Sequence, residues 1–171
     1  MTRSSATRRS RSDELNEFVS THYRRVVGAV TLITGDRAAA EDAVQDAIVK
    51  AWERHDQQLD RLAAWITVVA SNGARDVGRR STAERRAIER VGHRAETVSV
   101  DPLPLDAELV SAVTELPLRE RQAAVLHYVH DLSVADVASA MDVADGTVKT
   151  LLSRARGHLA AALDSDGGAD S

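Results

Sequence analysis

Apolar residues recur every three or four positions along this chain, and no segment alternates them every second one, so the fold must be built from helices that bury one or more faces. The clearest run is Ala40, Ala43, Val44, Ala47, Ile48, Ala51 and Trp52, an unbroken helical stripe that predicts a core position for Trp52. Upstream, Leu15, Phe18, Val19, His22, Val26, Val30 and Ile33 form another stripe, closed by Gly35 as a helix stop and Asp36 as the next N-cap. Downstream, after the polar stretch HDQQLD, one side of a third helix carries Leu62, Trp65, Ile66, Val69, Ala70 and Gly73 and runs on into RDVGRRSTAERRAIER. Aromatic residues make up only 3% of the chain, so its cores are assembled from Val, Leu, Ile and Ala.

Residues 92–106, GHRAETVSVDPLPLD, have no period and read as a linker. Beyond them Leu109, Val110 and Val113 mark a short helix ending near Leu116 and Pro117, and a further helix spans Arg119 to His130. Ser133 is placed as an N-cap with Asp136 three residues on, the spacing of a capping box. Val137, Ala138 and Met141 face inward, the turn DVADG follows, and a last helix buries Val148, Leu152, Ala155 and Leu159. The expected fold is all-α, with two small helical domains over 13–91 and 107–163 joined by the flexible linker. A disordered basic N-terminus (1–12) and a disordered tail (164–171) flank them.

Net charge is −4, but charge is segregated along the chain. Residues 75–94 hold seven Arg against Asp76, Glu84 and Glu89; residues 95–118 hold five acids and no base; residues 146–163 hold Lys149, Arg154 and Arg156 and no acid. A uniformly acidic globular protein does not usually separate its charges this way. The absence of cysteine excludes disulfides and thiolate metal sites and suits a reducing cytoplasm. No apolar run reaches the length of a membrane span, and the basic N-terminus lacks the apolar core of a secretory signal, so a cytoplasmic protein without a membrane partner is expected.

The segment SVADVASAMDVADGTVKTLLSRAR has the layout of a helix-turn-helix: a capped helix, a short turn and a second helix. Ala138 supplies the small residue where two helices cross, and Gly146 is available as the turn residue. Thr147, Lys149, Thr150, Ser153, Arg154 and Arg156 lie off the buried stripe, where polar and basic groups can meet phosphates and base edges. Spacing alone is equally satisfied by an ordinary helical hairpin with a solvated face. The lack of acids on the last helix favours DNA.

DLSVADVASAMDVADGTVKTLLSRARGHL resembles region 4 of sigma factors, in which the GTVK and RAR residues sit on the helix that reads the minus-thirty-five element. LPLRERQAAVLHYV resembles the helix leading into that region. AAEDAVQDAIVKAWER and AAWITVVASNGARDVGRR resemble successive parts of region 2 of extracytoplasmic-function sigma factors, which bind core RNA polymerase and melt and read the minus-ten element. The two matches occur in the family's order and cover most of the chain. The resemblance implies that Asp42, Gln45 and Asp46 dock on the clamp helices of the polymerase's largest subunit; from the residues alone they read equally as a solvated face. It implies that Asn72 helps form a pocket for a flipped base, with Arg75, Arg79 and Arg80 along the strand backbone, and that an anti-sigma protein is the regulator. Trp65 has the chemistry of a stacking platform but the spacing of a core residue. The family often has Arg at the position of Val68, and Arg or Gln at the position of Leu151, which is expected to be exposed.

No enzyme is indicated. His127, His130 and Asp131 lack a third ligand at metal-binding spacing, and Glu41, Asp42 and Asp46 come with no Gly-rich loop or nucleophile elbow. Neither a cofactor nor a small-molecule substrate is expected; the expected partners are core polymerase, promoter DNA and an anti-sigma protein. A free-standing dimeric helix-turn-helix regulator accounts for residues 107–163 but not for the upstream match. A purely protein-binding helical adaptor accounts for the acidic faces but not for the acid-free last helix.

Overall fold

The computed structural model describes residues 3–53, 59–85 and 103–166. All regular structure within them is helical: α1 (Arg3–Thr34), α2 (Arg37–Glu53), α3 (Leu59–Arg85), α4 (Ala107–Glu115), α5 (Leu118–Ala124), a π-helical turn (Val125–Val129), α6 (Val134–Met141) and α7 (Asp145–Asp166). Most of the expected linker, residues 92–102, lies outside the described residues. α1 reaches back to Arg3, through the segment expected to lack structure, as adding turns to an established helix is far easier than starting one.

The expected punctuation between the first two helices is present. Gly35 takes φ +78° and returns its N–H to Thr31 O at 2.7 Å, and Asp36 Oδ1 accepts from Ala39 N at 3.0 Å. α1, α2 and α3 pack around Phe18, Val26, Val30, Val44, Ala47, Leu62, Ile66 and Ala70, with Trp65 half-buried against the same core. Two stripe residues depart from expectation: Val19 is 46% exposed and Trp52 40% exposed. On α2 the buried positions are Ala40, Val44, Ala47 and Ala51, and Trp52 stands a further 100° round the helix from Ala51.

In the C-terminal half, Asp106 caps α4 by accepting from Leu109 N at 2.7 Å. Ser133 Oγ caps α6 by accepting from Asp136 N at 3.1 Å and donates to Asp136 Oδ2 at 2.6 Å. The turn of the helix-turn-helix is made by Asp142, left-handed at φ +54°, rather than by Gly146, which lies in the first turn of α7. Asp tolerates that conformation because its short side chain bonds locally. Leu151 is also not the exposed residue expected: it is half-buried against the cluster that contains Leu126, Ala138 and Leu152.

The two halves are not merely strung on a linker. Ala29, Leu32 and Ile33 of α1 join Val110, Val113 and Val125 in one apolar cluster, to which Leu103 and Leu105 add. Ala64 and Val68 of α3 join Ala123, Leu126, Val137 and Ala138 in another. The residues explain why both long helices have a second buried face. Val26 to Ile33 are buried without interruption on α1, the mark of a helix covered on all sides.

Candidate functional site

Three surfaces carry the residues singled out in the sequence. On α2, Asp42, Gln45 and Asp46 lie opposite the Ala40, Val44, Ala47 stripe, with Gln45 and Asp46 exposed and Asp42 on the same outward side, and exposed Val49 continues the face one turn on. Burial of the alanine stripe orients this face outward. Arg37 pairs with Glu41 at 3.0 Å, on the edge of the face.

On α7, Val148, Leu152 and Ala155 are buried. Thr147, Lys149, Thr150, Ser153, Arg154 and Arg156 are exposed, so the structure brings all six together on one outward surface. Two side-chain contacts tie the far end of this helix to the preceding elements. Arg156 Nη1 donates to Tyr128 Oη at 3.1 Å, and His158 Nδ1 lies 2.7 Å from Glu120 Oε2, a carboxylate that is itself buried. Tyr128 is 53% exposed beside the basic surface, a residue that spacing did not single out.

α3 is arranged differently. Asn72 is exposed and so is Arg75, on the stretch of helix just beyond the bundle core. Arg79 and Arg80 lie further along α3, and their side chains are outside the described residues. Asn72 is held from the other half of the molecule: Gln122 Nε2, on fully buried Gln122 of α5, donates to Asn72 Oδ1 at 2.9 Å and to Ser71 Oγ at 2.9 Å. Ser71 Oγ donates onward to Val68 O at 3.1 Å, which fixes it as an acceptor toward Gln122.

The seam beside Asn72 holds further polar bonds. Thr67 donates its one hydroxyl proton to Ala63 O at 2.8 Å, leaving its lone pairs for a proton on His130 Nε2, 2.9 Å away. Arg25 donates to Val129 O. Arg121 reaches the C-terminal carbonyls of two helices, Ile33 O of α1 and Thr114 O of α4, and Leu116 O at 2.8 Å. Burial lowers the Arg121 pKa from its ordinary value, and burial together with the nearby charges of Arg25 and His22 pushes that of His130 down to about 4. Two buried side-chain atoms among the described residues lack a partner, Arg121 Nε and Gln122 Oε1, and both lie on this seam.

The seam residues were not anticipated from spacing. Their signal was a second face on α3, the small residues Ala64, Thr67, Val68 and Ser71 stepping three and four apart behind the main apolar stripe. No group of three metal-binding side chains occurs among the described residues. Nor is any helix among them long and apolar enough to cross a membrane.

Family models described as Sigma-70 region 2 and Sigma-70, region 4 match residues 18–84 and 106–159. The chain is 31% identical over 146 residues to the ECF RNA polymerase sigma factor EcfG of Rhodopseudomonas palustris, covering 81% of this chain and 78% of that one. It is 30% identical over 129 residues to the ECF RNA polymerase sigma factor SigL of Mycobacterium tuberculosis, covering 70% and 72%. It is 32% identical over 151 residues to RfaY of Xanthomonas campestris pv. campestris, described as a probable RNA polymerase sigma factor; that match takes in 81% of this chain and only 38% of RfaY. Among solved structures, it superposes on the sigma factor RpoE of Bartonella quintana, in complex with the anti-sigma factor NepR, with a TM-score of 0.64, 26% identity and coverage of 91% and 97%. CnrH in complex with the cytosolic domain of CnrY shares the fold, with a TM-score of 0.60 at 23% identity and coverage of 89% and 88%.

Proposed function

Since this chain belongs to the sigma-70 family of RNA polymerase sigma factors, in its extracytoplasmic-function branch, we propose that it binds core RNA polymerase and directs promoter recognition, melting and the start of transcription. α2 docks on the polymerase through Asp42, Gln45 and Asp46. α7 enters the major groove of the minus-thirty-five element, with Lys149, Arg154 and Arg156 on phosphates or guanine edges and Thr147, Thr150 and Ser153 as lesser donors. Asn72 reads a base extruded from the minus-ten strand, through the amide that can both donate and accept, while Arg75, Arg79 and Arg80 follow its backbone. Melting draws on capture of unstacked bases and on holoenzyme contacts. The chain needs no nucleotide hydrolysis or cofactor of its own. Its place of action is the cytoplasm, and an anti-sigma protein is its regulator, as NepR is bound to RpoE in the related structure.

The observation that carries this reading is the outward placement of two separate charged faces, acidic on α2 and basic on α7, each set by a buried stripe behind it. An overall charge of −4 suits a subunit that relies on its polymerase for most of its attraction to DNA. Gel shifts and run-off transcription with and without core enzyme test it. Promoter binding and a discrete start site are expected only with core. Binding by the chain alone would favour the free-standing regulator, and no binding in either case the adaptor.

A further inference from the structure

We propose that Tyr128 is a positioning residue of the minus-thirty-five reader: its phenol oxygen holds the Arg156 guanidinium in place, with its charge intact, for a phosphate of the DNA backbone. The inference rests on the sigma-factor reading and sharpens it in two ways. Arg156 is assigned to the strand backbone rather than to a guanine edge, and a side chain outside α7 is named that sets its pose.

The first support is the partner that Arg156 has. Arg156 Nη1 donates to Tyr128 Oη at 3.1 Å. No carboxylate pairs with Arg156 among the described residues, and residues 146–163 contain no acid. A carboxylate and a phenol both restrain a guanidinium, but only the carboxylate cancels its charge. The neutral oxygen therefore limits the freedom of the side chain while its attraction for phosphate stays whole. One N–H is given to Tyr128 and the rest of the fork is left for a ligand. Restraint before binding also lowers the conformational entropy lost on binding.

The second support is how Tyr128 is itself held. It stands in the π-helical turn Val125–Val129, where His130 N–H reaches back to Val125 O at 3.2 Å. Such wide turns are rare and frequent at functional positions. The rings of His127 and Tyr128 meet edge-on, with centroids 4.8 Å apart and planes at 71°. His127 is anchored in turn, its Nδ1 lying 2.7 Å from Leu132 O. A carbonyl oxygen only accepts, so the ring proton is on Nδ1. The path from Leu132, just ahead of the α6 cap, through His127 and Tyr128 to Arg156 lies wholly in the C-terminal half, so it does not depend on how the two halves meet.

The third support is the place of Arg156 on α7. Lys149, Ser153 and Arg156 fall within about 60° of arc on one flank of the exposed surface, with Thr147 and Arg154 on the other. Arg156 stands about 16 Å along the helix axis from Asp145. The N-terminal residues of a recognition helix are those that reach base edges. A cation on the flank, this far along, is placed for the strand backbone.

The test uses the full chain assembled with core polymerase, and its binding to a minus-thirty-five duplex across a range of salt. Tyr128→Phe keeps the ring against His127 and removes the one hydrogen bond that the hydroxyl makes among the described residues, so Tm should not move. Binding should weaken about fivefold, equally on the preferred sequence and on a scrambled duplex, and the salt slope should not change because no charge is lost. Arg156→Ala should weaken binding at least as much and lower the salt slope by about one. In the Arg156→Ala background, Tyr128→Phe should cost less than about 1.5-fold, since the residue through which it acts has gone. The proposal is overturned if Tyr128→Phe binds as well as the unsubstituted protein, or if its loss differs between the two duplexes. It is overturned equally if Tyr128→Phe costs the same factor in the Arg156→Ala background, which would make Tyr128 a DNA contact in its own right. If the unsubstituted chain does not bring core enzyme to the duplex at all, the sigma-factor reading itself falls and this proposal with it.

Discussion

α3 and α7 are both long helices carrying arginines that are proposed to meet DNA, but they are embedded in opposite ways. α7 buries a single stripe, Val148, Leu152 and Ala155, and the polar surface opposite it is exposed. α3 is covered on two sides, by the bundle core at Ile66 and Ala70 and by the other half of the molecule at Ala64, Val68 and Ser71. One helix therefore leaves its polar face open, and the other is held on a second side by residues of the C-terminal half. The contrast teaches that exposure of a candidate residue is a poor guide to readiness: Asn72 and Arg154 are both exposed, but Asn72 has its acceptor occupied from across the seam.

The largest effect is expected away from both helices. Replacing Asp42, Gln45 and Asp46 together by Ala changes only the outward face of α2, so stability should change little, within about 0.5 kcal/mol for each surface change. Core binding and run-off synthesis should fall at least 100-fold, about 3 kcal/mol, as for the loss of a hot spot. Unchanged retention on immobilised core enzyme would break the comparison at its root, since neither DNA helix would then be delivered to a promoter by α2.

Acid should separate the two helices next. His130 sits in the seam against α3, facing Arg25, His22, Asp131 and Asp136. Its pKa is lowered from 6.5 to about 4 when folded, so the unfolded chain binds the proton more readily. The seam's contribution is complete above pH 6.5 and is lost as pH falls toward 4, by about 3 kcal/mol in all. Denaturant titrations from pH 7 to 4.5 should show stability falling in this window, and His130→Gln, which keeps a donor for Thr67 without a titrating ring, should flatten the fall. A slope that His130→Gln leaves untouched would assign it to other groups.

A third effect belongs to α7 alone. Lys149→Ala and Arg154→Ala should each weaken holoenzyme binding to a minus-thirty-five duplex by about 1–3 kcal/mol, with no change in fold. The salt slope should diminish by about one for each phosphate that is no longer neutralised. An unchanged salt slope would mean that these side chains do not meet phosphates, and the contrast with α3 would lose its α7 side.

Much of this architecture could be read from residue spacing, because one-sided stripes report one-sided burial. The stop at Gly35, the caps at Asp36 and Ser133, and the outward faces of α2 and α7 all follow from local rules that a single helix obeys. What spacing could not convey is which surfaces meet when chain segments far apart in sequence pack together. Thr67 and His130 are separated by 63 positions, and Gln122 and Asn72 by 50, and neither pair has a local signature. Val68 illustrates the point: in the sequence it stands only as a departure from the family's frequent Arg, whereas the structure buries it in one cluster with Leu126 and Val137 of the other half. Trp52 erred in the other direction, since a stripe defined by steps of three and four tolerates a residue 100° off its axis.

The smallest expected effect is the most discriminating. Gln122→Met keeps the length and most of the volume of a fully buried side chain while removing two donated hydrogen bonds and the unpartnered Oε1. Asn72 is exposed and its oxygen regains water; Ser71 still donates to Val68 O. Loss of two neutral bonds is thus offset by loss of a desolvated, unsatisfied oxygen, and the net change should stay within about 1 kcal/mol, or about 2–4 °C in Tm. Binding of a single-stranded minus-ten oligonucleotide by the holoenzyme should change little, since Asn72 keeps its own side chain. The free chain should instead open more readily, seen as faster amide exchange along α3 around Ser71. A destabilisation above about 2 kcal/mol would mean that Gln122 is part of a permanent core, and α3 and α7 would then differ only in how deeply they are buried and not in what releases them.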